Sequence, residues 1–76
     1  MNIRTFIENF SDQFDDTELS EFSATTNFRE LDEWSSLTAL AVLNMINKKY
    51  GKTVKADEMK DTETIQELYE LVVSKS

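Results

Sequence analysis

The chain has 76 residues and a formal net charge of −7, with no Cys, no His, no Pro and one glycine, Gly51. The missing Cys excludes a disulfide framework and a thiolate metal site, and the missing His removes the commonest general base and nitrogen ligand. A domain this small buries only about 60% of the surface its unfolded chain exposes, which leaves no room for a deep enzyme cleft. We therefore expect a single domain over residues 1–76, no enzyme and no metal site.

Ile3, Phe6, Ile7, Phe10 and Phe14 fall at i, i+3, i+4, i+7 and i+11, one helical stripe. It predicts a first helix over residues 3–15, capped by Asn2 and ended by Asp15, Asp16 and Thr17, because acids are unfavourable at the negative end of a helix dipole. Glu8 and Asp12 also interrupt any apolar run, so the start does not read as a signal peptide, and no stretch approaches a membrane span. The expected protein is acidic, soluble and cytoplasmic.

Residues 16–35 are mostly polar. Leu19, Phe22, Phe28 and Leu31 are the candidate pins of this long loop, with a short helical turn near residues 17–22. The second helix is expected to run from Ser36 or Leu37 to Tyr50. Leu37, Leu40, Leu43, Ile46 and Tyr50 form its inward row, and Ala39, Val42 and Met45 widen it. Lys48 and Lys49 suit its C-terminal end, and Gly51 is a ready stop. A single short turn is expected around Ala56-Asp57-Glu58, between Val54 and Met59. The last helix opens at Thr64-Ile65-Gln66-Glu67, a capping box, with Ile65, Leu68, Tyr69 and Val72 inward and Leu71 and Val73 at the margins.

Charge is unevenly spread. Residues 1–33 hold nine acids and two arginines, whereas residues 34–76 hold six acids and six lysines. Nucleic acid and anionic membrane surfaces are the wrong sign for the acidic half, so neither nucleic-acid binding nor membrane insertion is expected. A partner protein with a basic patch is the better match. No stretch matches a calcium loop, since Gly51 is surrounded by lysines.

The tract Trp34-Ser35-Ser36-Leu37 sits where the polar loop meets the apolar helix. It resembles the modification site of the acyl carrier protein family, Asp-Ser-Leu, with Ser35 in place of the Asp. Nearly the whole chain shares the family's order: amphipathic first helix, long loop, helix opening at the serine, the Tyr50-Gly51 turn, short third helix, and a Thr-Ile-Gln opening of the last. The resemblance implies an all-α fold, a small four-helix bundle of three long helices and one short third helix. It also implies a monomeric carrier that is no enzyme. Ser36 would hold a 4′-phosphopantetheine arm, taken from coenzyme A, bearing an acyl or aminoacyl group as a thioester. Expected partners are a phosphopantetheinyl transferase and acyl-loading and acyl-transfer enzymes with basic docking patches. The pathways implied are fatty-acid, secondary-metabolite or cell-surface polysaccharide biosynthesis.

Asp32, Glu33, Trp34, Ser35 and Leu37 are the expected partner-binding residues. Leu40, Leu43, Ile46 and Met59 are candidates for an acyl pocket, although the plain reading of that face is core. Trp34 either shields the base of the arm or touches a partner, or else covers the open end of the bundle. Asp32 and Glu33 otherwise read as a solvated loop, and Ser36 as a structural cap, a role that Ser35 can share. The second helix carries Thr38, Ala41, Asn44, Asn47, Lys48 and Lys49 on its polar side, where the family's fatty-acid carriers are acidic. This favours a specialised carrier. Without modification, the same fold reads as a helical interaction module.

Overall fold

Asn2 opens the first helix, α1 (Ile3–Ser11), by accepting the Thr5 amide on Oδ1 at 2.9 Å. The computed structural model describes residues 2–75. Helix α1 stops four residues short of the expected end. The Ser11 hydroxyl donates back to the Glu8 carbonyl, and the Gln13 and Phe14 amides bond three residues back, to Phe10 and Ser11. This tightened last turn still drives Phe14 into the core.

The second helix, α2 (Ser36–Tyr50), has the expected span and ends at Gly51, whose φ of 65° lies in the left-handed region. The Gly51 amide donates to the Asn47 carbonyl at 3.0 Å, so this residue closes the helix. A Cβ there would meet no atom within 4 Å. The cost of Gly51→Ala is therefore conformational, about 1 kcal/mol or somewhat more. We expect thermal unfolding to fall by roughly 4–8 °C, with the fold retained by circular dichroism.

The short α3 (Ala56–Lys60) starts where the Lys55 amide donates to Glu58 Oε1 at 3.0 Å. The last helix, α4 (Ile65–Ser74), opens with the expected reciprocal cap: Thr64 Oγ1 accepts the Glu67 amide, and Glu67 Oε1 accepts the amides of Thr64 and Glu63. Those two amides hold the Glu67 carboxyl below the usual carboxylate range. Among the described residues the chain has these four α-helices and no strand, the all-α architecture that the resemblance implies.

Helix α1 packs against both α2 and α4, and α3 leans on α2. Phe6, Phe10, Phe28, Val42, Ile46, Ile65, Leu68 and Val72 are fully buried. Phe6 meets the rings of Tyr50 and Tyr69, and Asn9 donates to the Tyr50 hydroxyl at 2.9 Å.

The long first connection contains two 3₁₀ turns, Leu19–Glu21 and Phe28–Glu30. Phe22 and Phe28 pin it and Leu31 packs on the core, but Leu19 is 52% exposed and pins nothing. The rest of the fastening is backbone. Ile65 and Gln66 donate to the carbonyls of Thr26 and Ala24, and Phe28 donates to that of Glu63. Amides at the start of α4, which have no acceptor within their own helix, are thereby satisfied by the loop.

The inward row of α2 differs from expectation. Val42, Met45 and Ile46 are buried, whereas Leu37 is 80% and Leu40 55% exposed. A spacing of three residues falls about 60° short of a full turn at 3.6 residues per turn. The row Leu37–Leu40–Leu43–Ile46 therefore coils round the helix, starting in solvent and ending in the core.

Candidate functional site

Ser35 and Ser36 do different work at the head of α2. Ser35 is the cap: its Oγ accepts the Thr38 amide at 3.3 Å and its carbonyl accepts the Ala39 amide at 2.9 Å. Thr38 Oγ1 donates to the Glu33 carbonyl at 2.8 Å, which leaves the Ser35 hydroxyl as donor in the 3.2 Å contact with Thr38 Oγ1. Ser36 is the first helical residue. Its side chain is exposed and its hydroxyl makes no hydrogen bond with the described residues. The amides of Ser36 and Leu37 have no acceptor within the helix, because they lie in its first turn.

Beside Ser36 lies an open groove of about 640 Å³. Trp34, Ser35 and Ser36 border it; Ala39, Leu40 and Leu43 of α2 and Ala56, Met59 and Lys60 of α3 form its walls, together with Arg29. Three of the four acyl-pocket candidates thus converge: Leu40, Leu43 and Met59. Ile46 is fully buried in the core and is not part of the lining. The leucines excluded from the core by the drift round α2 reach this groove or, in the case of Leu37, solvent.

The partner-binding candidates separate. Asp32, Ser35 and Leu37 are exposed. Trp34 is half-buried, 4.8 Å from the Phe28 ring and stacked at 6.4 Å on both Phe10 and Phe14, so it covers the open end of the aromatic core while bordering the groove. Glu33 is turned inward along the loop. Its carboxylate accepts the Asp15 amide at 3.2 Å, the Asp16 amide at 2.9 Å and the Thr17 hydroxyl. The Thr17 hydroxyl is the largest cause, ahead of the two amides, of a carboxyl held below the usual range. This clasp ties the exit of α1 to the residue two before the cap.

A lowered carboxylate pKa in the fold means that its stabilisation is complete above the unfolded value and is lost as pH falls through the folded one. We expect Glu33→Gln to unfold at lower urea than wild type at pH 7. The gap should shrink as pH drops below about 4.3, the ordinary glutamate value. A gap unchanged down to pH 3 would show that the clasp does not depend on the charge.

Arg29 and Lys60 were not singled out in the sequence, but Arg29 had a signal: it is the one base between Arg4 and Lys48. In the structure its Nη2 donates to the Met59 carbonyl at 2.9 Å, at the last turn of α3. The same helix is also held by Lys75, whose ammonium meets Glu58 Oε2 at 2.7 Å.

The family model for a phosphopantetheine attachment site matches residues 5–72. The chain belongs to this family. Searches of curated proteins and of solved structures return no match. The domain is the attachment site of a covalent 4′-phosphopantetheine and has a carrier role. Carrier domains of this kind are not catalytic themselves, and they work with a phosphopantetheinyl transferase and biosynthetic enzymes. The residues present fit the group: a free, exposed hydroxyl, unpaired amides at the positive end of a 15-residue helix that favour an anion, and an apolar groove alongside. Among the described residues no cluster of three or more acids suits a metal ion, and no helix is long and apolar enough to cross a membrane.

Proposed function

We propose that Ser36 is the residue that carries the arm, and that the chain, no enzyme itself, presents an acyl or aminoacyl group to partner enzymes. The observation that supports this most directly is the division of labour between the two serines. Ser35 spends its hydroxyl on the cap, and Ser36, one residue further on, has an exposed hydroxyl with no competing bond. The attached group supplies a thiol that holds the cargo as a thioester, which the chain cannot do itself without Cys.

Each neighbouring residue then has a defined task. The first-turn amides of Ser36 and Leu37 and the dipole of α2 stabilise the phosphodiester's charge. Ser35 and Thr38 hold the helix head in one geometry. Ala39, Leu40, Leu43 and Met59 offer an apolar surface along which cargo can lie. Asp32 and Leu37 face outward beside Ser36, where the acid attracts a basic patch on a transferase or acyl-transfer enzyme and the leucine fills an apolar pocket. The neutral and basic polar side of α2 favours a specialised pathway, secondary-metabolite or cell-surface polysaccharide biosynthesis, over fatty-acid synthesis. The test is transfer of the arm from coenzyme A followed by intact mass: wild type gains one arm and Ser36→Ala gains none.

A further inference from the structure

We propose that Arg29 and Lys60 recognise an anionic group borne on the arm, either the phosphodiester at its root or a carboxylate on its cargo. This rests on the carrier reading and adds the chemistry of the ligand. The charged residues that line the groove beside Ser36 are Arg29 and Lys60, both cations, in a chain with a surplus of seven acids. Among the described residues no carboxylate lies within 4.0 Å of the Arg29 guanidinium. Its bond to the Met59 carbonyl fixes it beside the groove and uses one of five N–H donors, so a fork remains free for a second acceptor. Among the described residues Lys60 pairs only with Asp57, at 4.0 Å, with both side chains in solvent, a pairing that competes weakly. The adjoining wall of Leu40, Leu43 and Met59 gives the carbon chain of such a ligand an apolar surface beside the two cations. A cargo with a free carboxylate, such as a dicarboxylic half-thioester, would satisfy both the apolar wall and the cations.

The test loads Ser36, through a broad-specificity transferase, with an unacylated arm, a butyryl arm and a succinyl arm, the last two as stable amide analogues. Each form is made in wild type, in Arg29→Lys and in the double variant Arg29→Gln, Lys60→Gln, and its thermal midpoint and phosphorus NMR shift are recorded. If a cargo carboxylate is the anion, wild type carrying the succinyl arm melts roughly 4 °C above the butyryl form. The gap closes in the double variant and survives in part in Arg29→Lys. If the phosphodiester is the anion, the double variant moves the phosphorus resonance by the same amount in all three forms. Comparison between forms of one variant cancels any general loss of stability from the missing Met59 contact. Equal midpoints and unmoved phosphorus shifts overturn this inference alone, whereas failure of Ser36 to load, seen first by mass, overturns the carrier reading with it.

Discussion

Incubated with coenzyme A, magnesium and a broad-specificity phosphopantetheinyl transferase, the wild-type chain gains the mass of one arm, Ser36→Ala gains none, and Ser35→Ala still gains one. The difference between adjacent serines follows from their bonds. Ser36→Ala deletes an exposed hydroxyl that supports nothing, and alanine is a good residue for the first helical position, so the variant stays folded and fails only as an acceptor. Ser35→Ala deletes a cap, at a cost of about 1 kcal/mol, and leaves the acceptor untouched. Circular dichroism separates the two effects: Ser35→Ala melts lower and is modified, Ser36→Ala melts like wild type and is not. Modification of Ser36→Ala would transfer the site to Ser35. If no competent transferase modifies the wild-type fold, the reading becomes an unmodified helical interaction module.

The largest effect on stability is expected at Phe10. Its side chain is fully buried and touches the rings of Phe14, Phe22, Phe28 and Trp34, so it joins α1 to both ends of the long loop. Truncating a buried phenylalanine costs about 3–5 kcal/mol, a large part of the total that a domain of this size can have. At roughly 4–8 °C per kcal/mol, Phe10→Ala should melt at least about 12 °C below wild type or lose its cooperative transition. Val73→Ala is the control: that side chain is 52% exposed and should change stability by no more than about 0.5 kcal/mol. A Phe10→Ala variant that unfolds like the control would mean that the aromatic cluster is not the keystone of the loop.

The parts of the fold legible in the sequence are those fixed by neighbours along the chain. Asn2, Ser35, Thr64 with Glu67, and Gly51 mark helix ends through bonds spanning three or four residues; α2 has the expected extent and α4 the expected start. Features that depend on distant partners were not legible. Nothing local shows that Glu33 bonds to residues 15–17, or which three rings Trp34 covers at the open end of the bundle. The end of α1 was set by a tightened turn rather than by its acids. On α2, leucine identity suggested burial, but the three-residue spacing turned Leu37 and Leu40 outward, and counting angle would have found this. Of the candidate site, Ser36 was singled out from the motif and Leu40, Leu43 and Met59 from the family resemblance, and the structure places these four beside one groove. Arg29 and Lys60, which also line it, were not singled out, because one arginine in an acidic stretch looks like surface.

Trp34 is the sole tryptophan of the chain, and it lies against three phenylalanine rings with an edge on the groove. Indole emission responds to local polarity, and here it comes from one place. Cargo lying in the groove should exclude water from that edge and move the emission to the blue; cargo held out in solvent should leave it in place. The protein thus contains its own optical gauge of where the load sits, with no label attached.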